Sequence, residues 1–204
     1  QNQSPYETLN TLTDSTENIW VVLHGMGYLS RYFLKHFKQM DADTNYLIAP
    51  QAPSKYYLKD DFKHVGASWL TKEDTQLETT NVLNYLDMVL KNEKLPENKN
   101  LILFGFSQGV SIAMRWWTQR MIPFNQVVLY AGGLPNEIAP KDTEFIDGKK
   151  TKIQLVYGDQ DKYITPKRLQ MEKEKIKKLF GHKAEVIEFS GKHEILPEVL
   201  DQLL

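Results

Sequence analysis

Apolar residues along this chain collect into short unbroken runs separated by longer amphipathic stretches. The runs are "NIWVVLH" (18–24), "NYLIA" (45–49), "NLILFGF" (100–106), "QVVLYA" (126–131), "KIQLVYG" (152–158) and "AEVIEF" (184–189). A strand with one wet face alternates apolar and polar residues. Most of these do not, which predicts strands covered on both faces in a parallel sheet. "YETLNTL" (6–12) alternates better and predicts an antiparallel edge strand that turns at Asp14-Ser15.

Helical periodicity occupies 29–40, 74–92, 108–120, 165–180 and 194–204. In 74–92, Leu77, Val82, Leu83, Leu86, Met88, Val89 and Leu90 form the apolar face, with Asp74 as a candidate cap. In 165–180, Thr165 reads as N-cap, Pro166 as the first helical residue and Gly181 as the stop. Leu169, Ile176, Leu179 and Phe180 supply the buried stripe there, so the lysine and glutamate run reads as a solvated face. Strands alternating with helices predict an α/β fold. The expectation is one domain over 1–204, with a mostly parallel central sheet, helices on both faces and no large cap domain. The stretch 50–68, broken by Pro50 and Pro53, reads as a long irregular connection that helps to form a binding pocket.

Composition narrows the function classes. The 204 residues are 41% hydrophobic and 25% charged, ordinary values for a soluble globular chain. A net charge of −1 gives no electrostatic basis for a nucleic-acid partner or for anchoring to an anionic membrane. There is no cysteine, which removes disulfides, thiolate metal sites and a cysteine nucleophile. No apolar run reaches membrane-spanning length, and "QNQSPYETLN" lacks the basic and apolar regions of a signal peptide, so a cytoplasmic location is expected. Nothing in the pattern sets an oligomeric state.

The candidate chemistry begins at Gly105-Phe106-Ser107-Gln108-Gly109, where a strand-like run turns into a helix-like one. A serine between two glycines in that context reads as a strained elbow exposing Oγ as a nucleophile. A serine hydroxyl needs a base to take its proton and donors to receive the oxyanion. Beyond the strand ending at Gly158 lie Asp159 and Asp161. Asp159 reads as a turn residue, and Asp161, further into the loop, as the acid. Of five histidines, His193 alone follows both serine and acid while ending a strand–helix unit. His36 and His182 read as surface residues, His24 as a packing or hydrogen-bonding residue, and His64 as a weak alternative base. The order Ser107, Asp161, His193 is that of a nucleophile-elbow hydrolase. The Gln108 amide follows the nucleophile, and "VVLHGMGY" (21–28) offers the Met26 amide as a second oxyanion donor.

Together these residues resemble the α/β-hydrolase superfamily, and within it the small carboxylesterases that include acyl-protein thioesterases and lysophospholipase-like bacterial esterases. The resemblance runs through "VVLHGMG", "LIAPQAP", "GASW", "LFGFSQGVSIAMRW", "YAGGLP", "VYGDQDKYIT" and "GKHE". It implies a cap-less sheet, hydrolysis of a small-molecule ester or thioester through an acyl-enzyme on Ser107, and no metal or organic cofactor. It also implies that Tyr28, Trp69, Phe106 and Tyr163 line the substrate pocket. Two departures bear on the substrate: Tyr28-Leu29-Ser30-Arg31 follows the first motif where relatives often carry Asp-Thr-Gly-like residues, and Tyr157 stands where many have histidine. Alternatives are another serine hydrolase, of dienelactone hydrolase or peptidase type, and a binding protein that kept the fold.

Overall fold

Six parallel strands and one antiparallel edge strand build the central sheet, in a computed structural model that describes residues 5–146 and 150–203. In chain order the strands are β1 (Tyr6–Leu9), β2 (Asn18–Leu23), β3 (Asn45–Pro50), β4 (Ser54–Tyr57), β5 (Val65–Ser68), β6 (Asn100–Phe106), β7 (Gln126–Tyr130), β8 (Lys152–Gly158) and β9 (Ala184–Phe189). The large sheet runs β1-β3-β2-β6-β7-β8-β9, with β1 antiparallel to β3 and every other neighbour parallel. The unbroken apolar runs have the expected cause. Along β2, Ile19, Val21 and Leu23 enter one core cluster, while Trp20 and Val22 enter the other.

The helices are α1 (Ser30–Phe33), α2 (Thr75–Glu93), α3 (Gln108–Arg120), α4 (Pro166–Phe180) and α5 (Pro197–Asp201). Residues Val82, Leu86, Val110, Ala113 and Ile176 put α2, α3 and α4 on one face of the sheet. Phe33 of α1 and Val199 and Leu200 of α5 cover the other. Covering both faces lets every strand end, and thus every loop at the carboxyl edge, be placed by packed apolar layers. Among the described residues no helix is long and apolar enough to cross a membrane.

Several elements differ from the sequence expectation. The helix expected over 29–40 is one α-turn followed by a 3-10 segment, Leu34–Phe37. Its start has no side-chain cap and no first-turn acid, so buried Phe33, Leu34 and Phe37 hold it in place rather than helix propensity. The helix expected over 194–204 is reduced to α5, because Pro197 stands at its first position and forces extended backbone on Leu196 (φ −100°, ψ 133°). Leu204 lies outside the described residues. The 50–68 connection contains an antiparallel hairpin of β4 and β5, with Tyr56 opposite Gly66. Asp74 occupies the position before α2 but adopts left-handed backbone (φ 44°) and caps nothing, and Leu77 is exposed. Thr165 does cap α4, accepting the Arg168 N–H, with Pro166 first in the helix. Glu172 departs from the solvated face expected of α4: it is buried and accepts the Leu134 N–H at 2.9 Å.

Candidate active site

Ser107 stands between β6 and α3 with φ 55° and ψ −115°, a backbone region that L-residues rarely occupy. Two close approaches enforce the bend. A Cβ on Gly109 would meet the Leu23 carbonyl at 2.1 Å, and one on Gly105 would meet the Gly109 carbonyl at 2.7 Å. The glycines therefore let α3 start directly against β2 and β6, and the Ser107 N–H is fixed by the Tyr130 carbonyl of β7 at 2.9 Å.

The loop after β8 carries Asp161 and the loop after β9 carries His193. These loops are tied together: Asp159 Oδ1 accepts the Gly191 N–H at 2.9 Å, and the Gln160 N–H donates to the Gly191 carbonyl at 2.8 Å. Asp161 is buried, and its Oδ1 accepts the Tyr163 N–H at 2.8 Å. Its Oδ2 lies 2.6 Å from His193 Nδ1, and His193 Nε2 lies 3.0 Å from Ser107 Oγ. With Asp161 ionised, the complementary arrangement has Nδ1–H donating to the carboxylate and Nε2 accepting from the hydroxyl. The imidazole sits between the rings of Phe106 and Tyr163, at centroid distances of 5.0 and 4.7 Å. A buried carboxylate, a clamped imidazole and a hydroxyl in series can pass the hydroxyl proton to the ring.

The loop after β2 brings Met26 to the same place. His24 anchors it: the ring is fully buried, with Nδ1 2.8 Å from the Gly25 carbonyl and Nε2 accepting the Ala52 N–H at 3.1 Å. Burial pushes His24 down to about 4, so its imidazole is neutral. The Trp69 indole N–H closes the anchor on the His24 carbonyl at 2.7 Å. Met26 and Gln108 both line the cleft over Ser107, and neither backbone N–H is hydrogen-bonded among the described residues.

That cleft is open, holds about 520 Å³, and is lined by Ser107, His193, Tyr163, Met26 and, from the hairpin, Tyr56 and Leu58. Of the aromatic residues that the resemblance assigns to the pocket, Tyr163 lines this cleft. Trp69 does not: it is 0% exposed and packs its ring on His24 at 5.0 Å. Phe106 is likewise buried, behind His193 rather than against the cleft. Tyr28 lines a neighbouring groove with Arg31 and His64, its phenol pushed up by burial among Phe33, His36 and Phe106. Tyr157 lies away from the cleft, its hydroxyl donating to Glu188 at 2.5 Å. The Met26 side chain is 59% exposed.

Sequence reasoning gave the Gln108 side chain no role, and it has one. Its Oε1 accepts the Trp69 N–H at 2.8 Å, and its Nε2 donates to the Leu70 carbonyl at 2.8 Å and to Ser68 Oγ at 3.0 Å. Arg168, which the sequence pattern does not single out, lines the cleft from the first turn of α4. No sequence signal marks either, because each depends on which neighbouring loop the fold delivers.

Solved structures share this architecture. Zea mays acyl-protein thioesterase 2 superposes with a TM-score of 0.74 over 98% of this chain and 95% of its own, at 18% identity. A phospholipase/carboxylesterase from Dyadobacter fermentans gives 0.70 over 98% and 93%, at 19% identity. Esterase PE8 gives 0.66 over 97% and 98%, at 21% identity. Identities this low speak for the fold alone, but the family model for phospholipases and carboxylesterases matches residues 6–204. With that match spanning the sheet, the Ser107 elbow and the His193 loop, the chain belongs to the phospholipase/carboxylesterase family of α/β-hydrolases.

Proposed function

We propose that this protein is a serine hydrolase that cleaves carboxylic esters or thioesters of small molecules through an acyl-enzyme on Ser107. The observation that carries this reading is the continuous chain from Ser107 Oγ through His193 to buried Asp161, at 3.0 and 2.6 Å, at the floor of an open cleft. His193 Nε2 takes the Ser107 proton as Oγ attacks the carbonyl carbon. Asp161 holds the imidazole orientation and stabilises the imidazolium. The Gln108 and Met26 N–H groups are the donors for the tetrahedral oxyanion, a contribution worth about 10²- to 10³-fold in rate per donor. His193 then protonates the departing alcohol or thiol, and a water activated by the same nitrogen returns the acyl group as acid.

A fluorophosphonate probe tests the nucleophile and an ester, thioester, lactone and peptide panel tests the reaction. The expected result is labelling at Ser107 and turnover of esters or thioesters, both lost in Ser107→Ala. Peptide cleavage without ester turnover, or labelling that persists in Ser107→Ala, overturns the reading.

A further inference from the structure

Among the described residues Arg168 is the one side chain of fixed charge that lines the Ser107 cleft, and the lining includes no aspartate or glutamate. Its guanidinium is seated. One N–H donates to the Tyr163 carbonyl at 3.0 Å, and Nη2 packs where Gly133 has no side chain: a Cβ there would meet it at 2.6 Å. Glutamate one turn along a helix ordinarily neutralises such an arginine. Here Glu172 is turned to the Leu134 N–H at 2.9 Å and to Lys175 at 3.4 Å, and among the described residues Arg168 makes no ion pair. A positioned guanidinium with unused N–H donors, lining the same cleft as Ser107 and making no ion pair within 4 Å among the described residues although Glu172 Oε1 lies nearby across Gly133, is complementary to a planar oxyanion.

Resting on the hydrolase reading above, we propose that Arg168 recognises a free carboxylate on the substrate, so that the preferred ester is a monoanion such as the half-ester of a dicarboxylic acid. A carboxylate rather than a phosphate fits because, among the described residues, a single side chain of fixed positive charge lines the cleft, and one guanidinium fork matches one carboxylate edge to edge. The group binds away from the reacting carbonyl, so its effect falls chiefly on KM.

The test compares monomethyl glutarate with its neutral isostere methyl glutaramate, and the corresponding adipate pair, in wild-type protein, Arg168→Met and Arg168→Lys. Wild type is expected to favour the monoanion by about tenfold or more in kcat/KM, Arg168→Met to erase that ratio, and Arg168→Lys to retain part of it. Equal kcat/KM for the two members of each pair in wild type overturns the proposal and leaves the hydrolase reading intact. So does an equal loss for both members in Arg168→Met, which marks the arginine as a support for Tyr163 only. A stronger preference for methyl 4-phosphonobutanoate, assayed beside the glutarate pair, overturns the carboxylate. Calorimetric binding of the same esters to Ser107→Ala is independent of turnover. Selective binding of the monoanion there, with no hydrolysis by wild type, sustains the Arg168 proposal and overturns the hydrolase reading instead.

Discussion

The Gln108 side chain reaches from the first turn of α3 to the Trp69 backbone, accepting its N–H at 2.8 Å while donating to the Leu70 carbonyl at 2.8 Å. One residue thus supplies a backbone N–H beside Ser107 and fixes the strand end behind the β4–β5 hairpin that forms the cleft wall. Gln108→Leu leaves the Trp69 N–H and the Leu70 carbonyl without this partner, at a cost of about 1–3 kcal/mol. Urea unfolding is expected to show that loss. Ester kcat is expected to fall as well, because the loop and the elbow are no longer held in register. Unchanged stability with unchanged kcat contradicts this tether.

His24 couples pH to stability. Its ordinary value of 6.5 is lowered by burial to about 4 in the folded protein. Between those values the unfolded chain binds the proton and the folded one does not. The contribution is therefore fully present above pH 6.5 and is lost as pH falls toward 4, reaching roughly 3 kcal/mol. Chemical denaturation of wild type is expected to show stability rising with pH across this window. In His24→Gln the profile is expected to be flatter there, and parallel profiles for the two proteins contradict the assignment.

Asp159 and Asp161 are two residues apart and their substitution is expected to separate cleanly. Asp161 Oδ2 faces His193 Nδ1 at 2.6 Å, whereas Asp159 Oδ1 faces the Gly191 N–H at 2.9 Å. Asp161→Asn offers an amide to the imidazole and favours the wrong tautomer, for an expected loss of about 10⁴ in kcat. Asp159→Asn keeps an acceptor for Gly191 and is expected to lower kcat by less than about tenfold, the change coming from looser seating of the His193 loop. Steady-state kinetics on both variants decides it, and comparable losses contradict the division of roles.

How much of this was legible depended on whether the signal was local. The two-faced burial of Trp20 and Val21 is written in the apolar run itself, so the parallel sheet could be read directly. Ser107, Asp161 and His193 could be singled out because each follows a strand and the fold fixes their order. The hairpin at Ser54–Tyr57 and Val65–Ser68 was read as loop because β4 is exposed along its whole length and gives no apolar signature. The family resemblance places Trp69 and Phe106 in the cleft because they belong to its "GASW" and "GFSQG" motifs. They are layers beneath it, set by how deep the His24 and His193 rings sit. Arg168 and Glu172 looked alike within a charged helix, and only the approach of Gly133 and Leu134 separates them.

Ser107 itself holds backbone strain, and Ser107→Gly isolates it. At φ 55° and ψ −115° a side-chain-bearing residue costs about 1–3 kcal/mol, which glycine does not incur. Glycine loses about 0.5–1 kcal/mol more chain entropy on folding, and the hydrogen bond from Ser107 Oγ to His193 is removed. That bond joins partly buried groups able to meet water in the open cleft, so its loss is the smaller term. The net expectation is a gain of less than about 1 kcal/mol in stability together with loss of ester turnover. Ser107→Ala removes the same hydroxyl but keeps the Cβ, and with it the strain, so it is expected to be less stable than Ser107→Gly by about 1 kcal/mol, the strain less the glycine entropy. Thermal unfolding of the two variants side by side measures the difference. Equal midpoints would mean that the backbone strain at Ser107 is no larger than the chain entropy that glycine loses on folding.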